Sequence, residues 1–181
     1  MNTGLISVRY ARALFEAAKH QKCEAEVYND MQRLAKCYIE VRQLRTEINN
    51  PLLLKQTKRK LLVAVYNGNA ASPLTEKFID LVLKKEREDI LQFIANAYIT
   101  LYQKDKHIIP ARLITASPIG TEQKERIRAL VQKQILEGKI ELETTVDSQI
   151  LGGFVLDYNF HRMDASLRSQ LRDMRKILEQ T

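Results

Sequence analysis

Between Lys139 and Leu178 the hydrophobic pattern switches from a strand period to a helix period, and few small folds accommodate that. Ile140, Leu142, Thr144 and Val146 alternate with Lys139, Glu141, Glu143 and Thr145. A period of two marks a strand with one buried face. Asp147 and Ser148 interrupt it, and Gly152-Gly153 supplies backbone freedom for a turn or bulge. Alternation resumes with Phe154, Leu156, Tyr158 and Phe160 set against Val155, Asp157, Asn159 and His161. Beyond Met163 the spacing becomes helical, through Leu167, Leu171, Met174 and Leu178. Asp164 or Ser166 is the candidate N-cap, since a short side-chain oxygen there accepts from free first-turn amides. The stretch reads as strand, glycine turn, strand, helix.

Upstream, the chain keeps the helical period for its first hundred-odd residues. From Leu5 to His20, Arg9, Arg12, Glu16 and Lys19 form one narrow polar stripe. The remaining arc is apolar and rich in alanine, wider than one flank of a small bundle buries. Such a face suits a central helix of its own bundle, or a groove floor for a partner's amphipathic helix. Glu24 to about Ile48 continues as a long helix, continuous or broken, along Val27, Met31, Leu34, Tyr38, Val41 and Ile48, and Asn49-Asn50-Pro51 stops it. Lys55 to Tyr66 is a shorter helix, ended by Asn67-Gly68. Ser72-Pro73 starts the next, with Ser as N-cap and Pro at the first helical position. Phe78, Ile79, Leu81, Val82 and Leu83 give it a broad apolar surface, and a last helix carries Ile90, Leu91, Ile94, Tyr98 and Leu101. Helices joined by short connections make a bundle. The polar segment Gln103 to His107 separates it from β-rich sequence at Ile108 to Ala116, a helix from Thr121 to Glu137, and the segment described above. The expected domains are 1–105 and 106–181. The second, with strand, helix, strand, strand, helix, has about 75 residues, near the lower limit for an independent core.

The net charge of +7 raises the question of nucleic acid or anionic membrane. Positive charges are dispersed among acids, and the densest run, Lys55 to Lys60, has no interleaved aromatic. Cys23 and Cys37 match no zinc or redox spacing and read as reduced thiols. No apolar run approaches the ~20 residues that span a bilayer, so any work at a membrane goes through partners. There is no phosphate-cradling glycine loop with lysine, and His20, His107 and His161 lack neighbouring ligands at metal spacing. Ser7, Ser72, Ser117 and Ser166 sit at helix starts or turns, where capping explains them. Asp147, Asp157 and Asp164 could converge as a carboxylate pair or divalent-ion site, but turn and cap roles are preferred for Asp147 and Asp164. The residues thus point to no enzyme, cofactor or metal.

Val146-Asp147, Ile150-Leu151-Gly152-Gly153-Phe154, then Asp164, Ser166, Leu167-Arg168 and Leu171 resemble the C-terminal signature of the delta subunit family of F-type ATP synthases, whose mitochondrial members are the oligomycin sensitivity-conferring proteins. The resemblance extends through Arg9 to Ala18, Asn50-Pro51 with Lys58 to Leu62, Phe78 with Leu81-Val82, Arg87, Leu91, Tyr98 and Leu101, and Thr115 to Ile119 with Gln123. It implies a six-helix N-terminal bundle followed by a small α/β C-terminal domain. It also implies a non-catalytic peripheral-stalk subunit that holds the catalytic head against rotor torque. In such a protein the N-terminal domain takes the amphipathic N-terminal helix of an alpha subunit between its first and fifth helices. Carried onto this chain, that groove uses Tyr10, Ala13, Leu14 and Ala17 with Phe78, Leu81 and Val82. The C-terminal domain takes the far end of the b-subunit coiled coil, with Asp147, Gly152 and Gly153 as structural turn residues. Ser148 stands where the family often has proline, and Asn159 to Arg162 where a charged or glycine-containing hairpin is common. The chain starts at its first helix without a leader, which leads to the expectation of a bacterial subunit, peripheral on the cytoplasmic face of the inner membrane. The competing reading is a basic helical nucleic-acid-binding protein, which requires its charge gathered on one face.

Overall fold

The computed structural model describes residues 3–66, 71–134, 138–158 and 161–179. The expected stop at Asn67-Gly68, the helix position Ile135, and Asn159 and Phe160 lie outside them, as do the side chains of Leu130 and Val131. The described chain is mainly helical with one four-stranded sheet, and it divides into two compact units, Met1–Tyr102 and Gln103–Thr181.

The first unit is built from α1 (Thr3–His20), α2 (Glu24–Glu40), α3 (Arg42–Ile48), α4 (Lys55–Ala64), α5 (Pro73–Lys84) and most of α6 (Leu91–Asp105). The long second helix is interrupted at Val41 (φ −111°, ψ 85°), where the Val41 amide closes α2 onto Cys37 and the Val41 carbonyl accepts from Leu44 to open α3. The break leaves Val41, expected on the apolar face, exposed, whereas Leu44 and Ile48 turn inward. Ser72 starts α5 with Pro73 behind it, its Oγ accepting from the Thr75 amide at 3.3 Å. Asp30 of α2 adds a buried tie, its Oδ2 accepting from the Ser72 amide at 2.9 Å. Tyr98 of α6 lies fully buried at the centre, meeting the Phe15 ring edge-on at 5.7 Å and donating its hydroxyl to the Glu24 carbonyl at 3.2 Å. Burial pushes the Tyr98 phenol above its ordinary pKa.

In the second unit the strands β1 (Ile108–Thr115), β2 (Lys139–Val146), β3 (Gly153–Tyr158) and β4 (His161–Ser166) are ordered β2-β1-β3-β4. α7 (Thr121–Gln134) connects the parallel pair β1 and β2, and the other pairings are antiparallel. Gly138 (φ +95°) makes the return into β2, where a Cβ would stand 2.5 Å from the His107 carbonyl oxygen. Alternation holds in β2, with Ile140 buried and Leu142 and Thr144 half-buried, until the strand outruns the core and leaves Val146 exposed. Ala111, Leu113, Ile140 and Leu156 form the core, with Ile127 of α7, Leu142, Phe154 and Tyr158 packed on it. β4 is a strand beyond the three expected. Its apolar signal is short, with Met163 and Ala165 half-buried between exposed Arg162 and Asp164 and only Met163 packed on the core. The chain ends in α8 (Leu167–Glu179).

Candidate functional site

α1 turns Ala11, Leu14, Phe15 and Ala18 into the core, and α5 turns in Phe78, Ile79, Val82 and Leu83. Where the two helices meet, Tyr10 and Phe78 touch edge to face, with ring centroids 6.4 Å apart and an interplanar angle of 69°. Beside that contact each helix keeps an apolar edge that the core only partly covers. On α1, Ile6, Tyr10 and Ala17 are half-buried and Ala13 is exposed, at spacings of four, three and four along the helix. On α5, Leu74 is half-buried and Leu81 is 44% exposed, on either side of Phe78. Tyr10, Ala13, Ala17 and Leu81 are therefore accessible, whereas Leu14 and Val82 are core residues that shape the floor without reaching solvent. Ile6 and Leu74 complete the edge and are missing from the sequence-derived set. The signal for them was present, since each lies four residues before a member of that set, Tyr10 or Phe78.

A cavity of about 560 Å³ lies on a different flank of α1, lined by Gly4, Leu5, Val8, Arg9 and Arg12. Helical geometry sets these residues away from the Tyr10–Ala13 edge, so this hollow is not the groove expected from the sequence.

The basic run on α4 has an internal use. Lys55 Nζ donates to Glu86 at 2.9 Å and Arg59 Nε to Asp80 at 2.7 Å, with Arg59 Nη2 reaching Glu76 at 3.3 Å. Lys58 Nζ donates to Glu88 at 2.6 Å with both side chains largely buried, 5% and 15% exposed. The hydrogen bond and charge of Lys55 hold the Glu86 carboxyl below its ordinary range, and Asp80 raises the Arg59 guanidinium. The densest positive segment thus straps α4 to α5 and to the turn before α6, and these cations are not gathered into a phosphate-facing patch.

In the second unit, Asp147 Oδ1 accepts from the Gln149 amide at 2.9 Å and opens a short 3-10 turn, Ser148–Ile150. Leu151 then adopts a left-handed conformation (φ +65°) and leaves its side chain 62% exposed. Gly153 (φ +72°) is obligatory, because a Cβ there would stand 2.2 Å from the Ala165 carbonyl oxygen of β4. The Gly152 carbonyl accepts from the Leu167 amide at 3.0 Å, fixing the start of α8 against this turn. Both candidate caps serve α8. Ser166 Oγ accepts from the Ser169 amide at 3.2 Å, and Asp164 accepts from the Ser166 amide at 2.9 Å and the Ser169 hydroxyl at 2.7 Å. Those hydrogen bonds hold the Asp164 carboxyl at about 2. Asp157 faces Arg162 at 3.6 Å, so the three aspartates are engaged separately, and no group of three metal-ligating side chains occurs among the described residues. Cys23 and Cys37 are free thiols, each pushed up in pKa by partial burial.

None of the described side chains of α8 is buried. Leu167, Leu171, Met174 and Leu178 are 45% to 78% exposed, and its other described side chains are exposed except the half-buried Ser169. No helix among the described residues is long and apolar enough to cross a membrane.

The ATP synthase delta (OSCP) subunit family model matches residues 6–178. Over 97% of this chain, the ATP synthase subunit delta of Phocaeicola vulgatus is 36% identical, that of Bacteroides thetaiotaomicron 38% and that of Bacteroides fragilis 39%, each with 95% of the relative covered. A chain of the Toxoplasma gondii mitochondrial ATP synthase hexamer, 21% identical, shares the fold with a TM-score of 0.64 over 95% of this chain and 96% of that one.

Proposed function

This chain belongs to the ATP synthase delta (OSCP) subunit family, and from that premise we propose that each of its two units grips a different partner helix. It is a non-catalytic peripheral-stalk subunit of an F-type ATP synthase. We read α1 to α6 as the family's six-helix bundle, 1–105, and its partner as the N-terminal helix of an alpha subunit in the catalytic head. The observation that carries this is the pair of apolar edges flanking the Tyr10–Phe78 contact. An incoming amphipathic helix would lay its apolar face between Ile6, Tyr10, Ala13 and Ala17 on one side and Leu74 and Leu81 on the other, over a floor set by Leu14, Phe78 and Val82. Ala13 keeps that seat shallow enough for close helix approach.

The second unit, 106–181, would meet the b subunits of the stalk, with Asp147, Gly152 and Gly153 shaping the turn that carries α8. Association with the membrane then runs through the complex, on the cytoplasmic face of a bacterial inner membrane. The mechanical role follows from contact physics: apolar burial with slow dissociation resists torque at each catalytic step.

The test is calorimetric titration of the full chain with a peptide of the alpha subunit's first ~20 residues, which as a helix spans ~30 Å. Submicromolar one-to-one binding that changes little between low and high salt, and is abolished by Ala13→Asp, is the expected result. Binding of wild type and Ala13→Asp with equal affinity would remove the α1–α5 seat. Steeply salt-dependent binding of duplex DNA or RNA in its place would return the nucleic-acid reading.

A further inference from the structure

We propose that the flank of α1 formed by Leu5, Val8, Arg9 and Arg12 is a docking seat for an acidic amphipathic helix of a partner, whose carboxylates meet the two guanidiniums. The seat is separate from the α1–α5 edge and does not rest on the head-docking reading above.

Leu5 and Val8 are 58% and 43% exposed, although the inward face of the same helix buries Ala11, Leu14, Phe15 and Ala18. With Arg9 and Arg12 they line the hollow of about 560 Å³. Offsets of three, four and seven from Leu5 put all four on one helical stripe about 10 Å long. At about 100° per residue, that stripe lies roughly a third of a turn from Ile6, Tyr10, Ala13 and Ala17, so a helix laid over one does not cover the other. Neither guanidinium takes a hydrogen bond or ion pair among the described residues. The cations of α4 differ, since Lys55, Lys58 and Arg59 are each bonded to an acid. Further along α1, Lys19 is turned to the Phe15 ring, 4.9 Å from its centroid. Unpaired arginines beside exposed aliphatic side chains make the composition that interface centres favour, with Arg enriched and Lys depleted.

Shape and charge select the occupant. A straight ridge of side chains at three-and-four spacing accepts the ridge of another helix. A partner helix with apolar residues over Leu5 and Val8, flanked by Glu or Asp, gains charge-assisted and bidentate bonds to the guanidiniums over an apolar contact. A second copy of this flank would set arginine against arginine. A nucleic-acid backbone would pair with the arginines but leave Leu5 and Val8 against phosphate, and none of the four residues is an aromatic on which a base could stack. Glu16, four residues past Arg12, forms no ion pair with it among the described residues. It bounds the seat, because a partner carboxylate carried further along α1 is repelled there.

The experiment titrates the full chain with two synthetic amphipathic helices of identical apolar stripe, one edged by Glu and one by Lys, and follows methyl and arginine Nε resonances by NMR. The Glu-edged helix is expected to shift the Leu5 and Val8 methyls and the Arg9 and Arg12 Nε signals, and to bind about 10-fold more tightly than the Lys-edged one at low salt. Arg9→Glu/Arg12→Glu should invert that preference, and Arg9→Gln/Arg12→Gln should abolish it. Leu5→Asp should weaken Glu-edged binding about 10-fold with unchanged circular dichroism. Leu81→Asp, which blocks the α1–α5 edge from the other helix, should leave these shifts in place. Shifts confined to the Ile6–Tyr10–Ala17 edge or to α8, or loss of the Leu5 and Val8 shifts in Leu81→Asp, would overturn the separate seat. Equal binding of the two helices would overturn the charge selection. Duplex RNA that shifts Arg9 and Arg12 at lower concentration than the Glu-edged helix would make the flank a phosphate reader instead.

Discussion

Across Met1–Tyr102 a single apolar cluster draws side chains from each of α1 to α6, including the fully buried Met31, Leu34, Ile48, Leu62, Ile79, Ile94 and Tyr98. Among the described residues of Gln103–Thr181 the corresponding cluster has Ala111, Leu113, Ile140 and Leu156 as its buried members, with none from α8. The first unit satisfies its own helices and has only edges left over for a partner. The second leaves Leu167, Leu171, Met174 and Leu178 of its last helix exposed. A partner on the first unit therefore adds to a closed core, whereas a partner on the second completes an open one. The units should differ accordingly in how much stability they hold alone and how much they gain on assembly.

The largest expected effect bears on the small core. Leu113→Ala removes a fully buried side chain between β2 and β3 and should cost about 4 kcal/mol. That is enough to melt the sheet while the helical transition survives, which far- and near-ultraviolet circular dichroism on heating would resolve. A single transition in which sheet and helices are lost together would break the comparison.

Next comes the buried ion pair of the first unit. Lys58→Met leaves the Glu88 carboxylate buried without its partner and should cost about 3 kcal/mol in urea unfolding. Lys58→Met/Glu88→Leu should recover most of that, because the Oε2 atom of Glu88 already has no hydrogen-bond partner among the described residues. If the double variant is no better than the single one, the pair is a net stabiliser.

A smaller effect concerns acid. Asp164 has its pKa lowered from 3.8 to about 2 by bonds that form only in the folded cap. Its contribution is complete above the unfolded value near 3.8 and disappears as pH falls through about 2. The carboxyl carbon resonance of Asp164 should titrate near pH 2, and in Ser169→Ala the midpoint should move up toward 3.8. A wild-type midpoint already near 3.8 would mean that the cap does not form. The smallest effect is expected for Leu171→Asp in the unbound chain, within about 0.5 kcal/mol of wild type. A loss above ~2 kcal/mol would show that α8 is packed after all, and would erase the contrast between the units.

Local signals carried far along this chain. Ser72-Pro73, Asp164 with Ser166, and the alternation at Ile140 and Leu142 are each a few residues acting on their own backbone, and each forms as its spacing implies. β4 was missed, since Met163 and Ala165 are two apolar positions in six residues and the strand is held chiefly by backbone bonds to β3. Lys58 gave no sign of burial, because a lysine in a basic run becomes an interior residue only when Glu88, thirty positions away, arrives to meet it. The docking edges were half legible. Periodicity located the apolar arcs of α1 and α5, but the rotational setting of each helix in the core hid Leu14 and Val82 and left Ala13 and Leu81 outside.

By itself, then, the sequence determined the helices, three of the four strands and their turns, the change of architecture after the first hundred residues, the family, and which helices are too apolar for water alone. Tertiary structure decided which part of each apolar face is covered, which charges are neutralised at home, and that Leu167, Leu171, Met174 and Leu178 of α8 stay exposed. The reason is physical: hydrogen bonding and capping act over three or four residues, whereas burial depends on what distant segments place on top.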